Sequence, residues 1–152
     1  METVVIGMGN PDRGDDGAGI AVARRLRAGP PLEATVRECP GDVLSLLDLW
    51  RGCGRAILID AAAGEGAPGA VRRLEAGQGP LPEALGAASS HSWGLAAAVE
   101  LARCLGELPP RLVVYAIGGG SFGQGRALTA PVRAAVGRVT RRVRREIAEA
   151  AP

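Results

Sequence analysis

Apolar residues fall along the chain in short unbroken runs that alternate with longer stretches of helical period. Thr3–Met8 is apolar almost throughout, as a central strand must be when helices cover both of its faces. Residues 17–27 then carry Ile20, Ala23 and Leu26 on one helical face, and Gly29-Pro30-Pro31 ends that helix. A short strand is predicted over Ala34–Glu38. A helix starting at Gly41-Asp42 follows, with Val43, Leu46, Leu47 and Trp50 inward and Gly52 and Gly54 as stop signals. Arg55–Ala61 reads as the third strand, delivering Asp60 at its carboxyl end.

The turn Gly64–Gly69 is too short for a helical crossover, so the next strand, Ala70–Leu74, is expected to be antiparallel and at the sheet edge. Residues 77–88 are rich in Gly and Pro and read as a loop. Ser92–Leu105 is a predicted helix, Leu112–Ile117 the last strand, and Gly118-Gly119-Gly120 a flexible loop. Pro131–Glu149 closes the chain as a long helix with Val132, Val136, Val139, Val143 and Ile147 at helical spacing. The alternation predicts an α/β fold: one three-layer sandwich spanning 1–152, with a twisted, mostly parallel five-stranded sheet flanked by helices.

Composition and charge remove several classes of function. With 152 residues, 47% hydrophobic and 22% charged, the chain has the make-up of one globular domain. No apolar run approaches the roughly 20 residues of a membrane helix, and Met1-Glu2-Thr3 lacks the basic start of a signal peptide. A cytoplasmic protein with no membrane partner is the expectation. A net charge of +2 gives no case for nucleic acid, and every basic residue is arginine. Arg138, Arg141, Arg142, Arg144 and Arg145 read as the solvated face of the last helix, near its negative end. Cys39, Cys53 and Cys104 are scattered and form neither a disulfide framework nor a zinc knuckle, so reduced, mostly buried thiols are expected.

The stretch Val4-Val5-Ile6-Gly7-Met8-Gly9-Asn10-Pro11-Asp12-Arg13-Gly14-Asp15-Asp16-Gly17 carries the most chemistry. Gly7-x-Gly9 begins like a dinucleotide loop, but Asp12 stands where the third glycine would fall, and Asp15 and Asp16 follow. Carboxylates at a helix start repel a phosphate, so a cation site is the better physical reading. Asp60 and the only histidine, His91, are predicted to reach the same rim of the sheet. One imidazole and two carboxylates suit a borderline divalent ion and leave coordination positions open. Each residue also has a plain structural role: Asp15 as a helix N-cap, Asp16 beside the helix dipole, Asp60 capping a turn, His91 at the surface. The residues alone leave both readings standing. A serine hydrolase with Ser89, Ser90 or Ser121 as nucleophile lacks the Gly-x-Ser-x-Gly elbow.

Taken together, the motifs resemble the hydrogenase maturation endopeptidases, which trim the C-terminus of the NiFe-hydrogenase large subunit. They are Val5-Ile6-Gly7-Met8-Gly9-Asn10, Gly14-Asp15-Asp16-Gly17-Ala18-Gly19, Leu58-Ile59-Asp60-Ala61, His91-Ser92-Trp93-Gly94-Leu95 and Leu128-Thr129-Ala130-Pro131-Val132. The resemblance implies a metal-facing set of Asp16, Asp60 and His91, with Asp15 the adjacent alternative to Asp16. Many relatives carry glutamate where Asp16 stands. It further implies nickel supplied by the substrate, a large-subunit precursor as partner, and a single cut by a monomeric aspartate/histidine-site endopeptidase. The metal would orient the scissile amide and either polarise its carbonyl or activate a water. One departure stands out: relatives often have an acidic, proline-containing segment where this chain has Ile117-Gly118-Gly119-Gly120. That departure keeps in play a non-proteolytic metal-binding or chaperone module of hydrogenase assembly; separately, Gly7-x-Gly9 offers a small nucleotide-binding domain, against which Asp12 stands.

Overall fold

The computed structural model describes residues 2–63, 66–76, 94–125 and 127–150. Five strands form one sheet: β1 (Thr3–Met8), β2 (Thr35–Cys39), β3 (Arg55–Ala63), β4 (Val71–Glu75) and β5 (Arg111–Gly119), in the order β2-β1-β3-β5-β4. All pairs are parallel except β4 with β5, which places the antiparallel strand at the edge as its short connection requires. Among the described residues the helices are α1 (Ala18–Ala28), α2 (Val43–Trp50), α3 (Gly94–Cys104) and α4 (Ala130–Ala150), with a 3-10 turn at Gly14–Gly17. Asp42 caps α2, its carboxylate accepting from the Ser45 amide at 2.8 Å. The expected loop 77–88 and the expected helix start at Ser92 lie outside the described residues.

Side-chain alternation along each strand sorts the core into two layers. Ile6, Met8, Leu58, Ala62, Val114 and Ala116 face α2 and α3, where Leu46, Trp50, Leu95 and Val99 are buried against them. Val5, Ile57, Ile59, Tyr115 and Ile117 face α1 and α4, meeting Val22, Leu26, Val136, Val139 and Val143. This is the predicted three-layer arrangement.

Two strands run further than the sequence pattern indicates. β3 continues to Ala63, so Asp60 lies within the strand, in register with Ala116, rather than at its end. β5 continues through Gly118 and Gly119, which pair with Ala62 and Ala63. The expected flexible glycine loop is therefore mostly strand. Gly118 is bonded on both sides of the chain path, donating to the Ala70 carbonyl and accepting from the Gly69 amide, each at 2.8 Å. A Cβ on Gly119 would sit 2.5 Å from the Phe122 ring, and one on Gly120 would sit 2.8 Å from Pro68. These glycines are small because neighbours occupy the space.

The arginine-rich helix also does more than face solvent. Arg138 donates to the Gly69 carbonyl at 2.6 Å, Arg144 to those of Leu26 and Pro30, and Arg142 lies 5.3 Å over the Tyr115 ring. The last turn itself carries no basic residue, so the expected pairing with the helix's negative end is not made there.

A close backbone approach brings α1 onto β1 and β3. A Cβ on Gly19 would come within 2.2 Å of the Ile59 carbonyl oxygen and 2.5 Å of that of Met8. Both are backbone atoms of central strands and cannot move aside. Gly19→Ala is expected to destabilise the protein by at least about 3 kcal/mol in urea unfolding. Gly137→Ala, within α4 and facing only flexible arginine tips at 3.3 and 3.5 Å, is expected to stabilise it by about 0.5–1 kcal/mol.

Candidate active site

The chain leaves β1 toward β2 on one side and leaves β3 toward β5 and β4 on the other. Adjacent parallel strands whose following segments diverge open a crevice at their carboxyl ends, the usual ligand site of such sheets. Two of the three candidate residues belong to this rim. Asp60 is on β3, on the face shared with Met8 and Ala62, and is only 5% exposed. Its carboxylate accepts from the Ala61 amide at 2.9 Å. Asp16 is fully buried in the 3-10 turn that packs against β3, and its carboxylate accepts from the Asn10 amide at 3.1 Å.

The local sequence explains how Asp16 is held there. Gly9 has φ of +133°, a conformation glycine adopts readily, and this turns the chain off β1. A side chain at Gly9 would meet the Asp16 carbonyl at 1.9 Å, so the turn and the acid-bearing segment are in direct backbone contact. Asp12, exposed on the rim, caps the bend by donating its amide to Asn10 Oδ1 at 2.9 Å.

Asp15 does not take the capping role offered to it. No side chain caps the 3-10 turn or α1. Instead the Asp15 carboxylate reaches across the rim. It accepts from the amides of Gly120 (2.8 Å), Ser121 (3.0 Å) and Thr129 (2.7 Å) and from the Thr129 hydroxyl (2.9 Å to the nearer oxygen). Those donors take up the lone pairs of a carboxylate. Because Thr129 immediately precedes α4, Asp15 is the anion at the N-terminus of the last helix rather than of the first. Burial pushes its carboxyl up, but the hydrogen bonds from Thr129, Gly120 and Ser121 outweigh that and hold it below the ordinary aspartate value.

Sequence reasoning also passed over Cys39. It ends β2 in register with Met8, on the side of the sheet that carries Asp60, and it is fully buried. Burial pushes its thiol up, a backbone hydrogen bond from Gly41 opposes this, and the charges of Asp42 and Asp60 add to the rise. The signal available is strand parity: Met8 and Asp60 share a face, and the last residue of β2 falls beside Met8 on that face.

His91, Ser89 and Ser90 lie outside the described residues, and Ser121 is engaged through its backbone with Asp15. Among the described residues no group of three or more His, Cys, Asp and Glu is placed to hold a metal ion. Asp16 and Asp60 are thus brought to one rim, while the third member of the set has no described position.

The family model for hydrogenase maturation protease, HycI, matches residues 35–146. The matched span contains Asp60 and His91 and leaves out Asp16. No curated protein matches the chain by sequence. Solved structures resemble it over nearly their whole length. The hydrogenase maturating endopeptidase HybD of Escherichia coli superposes with a TM-score of 0.79 at 24% identity, covering 99% of this chain and 94% of that one. The NiFe hydrogenase maturation protease HybD of Thermococcus kodakarensis gives 0.76 at 22%, covering 97% and 99%. The HycI protease of Thermococcus kodakarensis KOD1 gives 0.69 at 21%, covering 96% and 92%. At these identities the structural likeness establishes the fold.

The depressed Asp15 carboxyl fixes the sign of a pH effect. Its stabilisation is complete above the unfolded value of roughly 3.9 and is lost as pH falls through the lower folded value. Asp15→Asn is expected to cost about 2–3 kcal/mol at pH 7, and the gap from wild type is expected to close below pH ~4 in urea titrations. A second measurement concerns the thiols: burial also pushes Cys53 up, whereas Cys104 is exposed. Native alkylation at neutral pH is expected to modify Cys104 and to reach Cys39 and Cys53 only on unfolding.

Proposed function

The chain belongs to the hydrogenase maturation protease family, and from that premise we propose that it removes the C-terminal extension of a nickel-loaded NiFe-hydrogenase large-subunit precursor. The observation that carries this reading is the placement of two buried acids, Asp16 and Asp60, at the β1–β3 crevice. In this reading Asp16, Asp60 and His91 face the nickel that arrives with the substrate. Asp16, Asp60 and His91 would hold that metal, which would supply Lewis acidity at the scissile amide. The protein's part is orientation: Asp60 is fixed by strand pairing and Asp16 by the Gly9 turn, which limits the freedom either carboxylate loses on binding.

The arrangement also says which groups do not take part. The Gly120 and Ser121 amides, the adjacent pair on the loop after β5, donate to Asp15 and so do not form an oxyanion hole. The enzyme acts as a cytoplasmic monomer in the same proposal, and among the described residues no helix is long and apolar enough to cross a membrane.

A second reading, a docking module of hydrogenase assembly without proteolysis, is favoured by one observation. The glycine run 118–120 stands at the rim where an acid is usual in the resemblance drawn above, and Phe122 and Pro68 fill the space beside it. The two readings separate in one assay. The purified protein is incubated with nickel-loaded precursor, and loss of the C-terminal peptide is followed by mass spectrometry. Wild type is expected to cleave once. Asp16→Ala, Asp60→Asn and His91→Ala are each expected to lower the rate at least 100-fold, roughly 2.7 kcal/mol of transition-state stabilisation. Stable complex formation with no processing by wild type would establish the docking module instead.

A further inference from the structure

The segment between β5 and α4 is fastened to the segment between β1 and α1 chiefly through one residue, Asp15. The carboxylate of Asp15 binds Gly120, Ser121 and Thr129, its amide donates to the Ser121 carbonyl at 2.7 Å, and nearby the Gly125 amide donates to the Asp12 carbonyl at 2.6 Å. Partners 105 to 114 residues away in sequence thus close on one fully buried side chain. Asp16 is its peptide neighbour, in the same short 3-10 turn.

We propose that Asp15 is the positioning residue of this site, holding Gly120, Ser121 and Thr129 as a fixed wall and Asp16 at its working angle. The proposal rests on the protease reading given above. Asp15 touches no reacting atom; it acts through two neighbours. With both its amide and its carboxylate bound across the rim, the 15–16 peptide cannot swing, and the Asp16 carboxylate is aimed by the backbone that carries it. A displacement of about 1 Å in a group that orients the reaction costs on the order of 100-fold in rate. Substrate docking draws on a much wider surface, so the loss falls on kcat more than on KM. The Thr129 hydroxyl belongs to the same unit, since it donates to the carboxylate that its own amide binds.

The test compares Asp15→Asn, Thr129→Val and Thr129→Ser with wild type on nickel-loaded precursor, with the folded fraction fixed by circular dichroism at the assay temperature. Asp15→Asn keeps the shape of the side chain but turns a donor toward donors. It is expected to lower kcat about 100-fold while KM changes less than about threefold. Thr129→Val, which keeps the backbone bond and loses the hydroxyl, is expected to lower kcat about tenfold, and Thr129→Ser to restore it. The double variant Asp15→Asn/Thr129→Val is expected to be no slower than Asp15→Asn alone, because both changes open the same strap. Hydrogen exchange at the Gly120, Ser121 and Thr129 amides is expected to rise in both single variants. If folded Asp15→Asn cleaves with wild-type kcat, or loses activity only in proportion to its unfolded fraction, the positioning role is overturned. If wild type itself does not cleave, the protease reading has failed. If exchange at those three amides is unchanged in Asp15→Asn, the strap does not hold the wall.

Discussion

Everything at the working end of this molecule depends on how closely α1 lies against the carboxyl ends of β1 and β3. Gly7 and Gly19 face each other there without side chains, and a Cβ on either would collide with backbone at 2.2 Å. That contact decides where the first turn of the chain can go. With α1 pressed down on Met8 and Ile59, the intervening segment must bulge over the end of the sheet, and the bulge is what carries Asp15 and Asp16. Gly9 then completes the geometry through its positive φ and its contact with the Asp16 carbonyl. The three glycines of this region are therefore one constraint rather than three turns. In nucleotide-binding sheets similar close packing brings a helix terminus to a phosphate; here the same device places carboxylates at the crevice, and the charge of the site is reversed.

Such a rim concentrates negative charge in buried surroundings, and hydrogen bonds compensate for it. Asp15 accepts from three backbone amides and a hydroxyl, which holds it ionised despite burial. Asp16 and Asp60 accept from the amides of Asn10 and Ala61. The Asp15 carboxylate joins segments distant in sequence. In the protease reading, Asp16 and Asp60 meet a cation brought by the substrate.

Much of this was readable before any coordinates, for a physical reason. Central strands buried on both faces must be apolar throughout, so β1, β3 and β5 announce themselves, and the short connection after β3 forces β4 to be antiparallel. The errors share one cause. Capping is a local rule and offers Asp15 the nearest helix as one option, whereas its donors come from Gly120, Ser121 and Thr129, more than 100 residues later. The glycines at 118 and 119 were read as a loop because glycine is poor in strands, whereas their pairing with Ala62 and Ala63 and the crowding by Phe122 are tertiary facts. Cys39 escaped notice because a thiol at the end of a strand has no motif. Its place beside Met8, on the face that carries Asp60 one strand further on, follows only from sheet order and register.

The glycine run also bears on how the departure from the family pattern should be understood. An acid lost from a site leaves a gap or a water-filled notch when nothing else has changed. Here the space at Gly119 is taken by the Phe122 ring and the Asp15 Cβ, and the space at Gly120 by Pro68. A side chain restored at either position would push against the strap that Asp15 makes. The glycines, Phe122 and Asp15 are thus mutually dependent, and the rim after β5 is a packed alternative to an acidic one rather than a damaged copy of it. Its effect falls on the shape and charge of that wall. Asp16 and Asp60 stand on other segments, fixed by the Gly9 turn and by strand pairing, and the glycine run leaves their backbone supports in place.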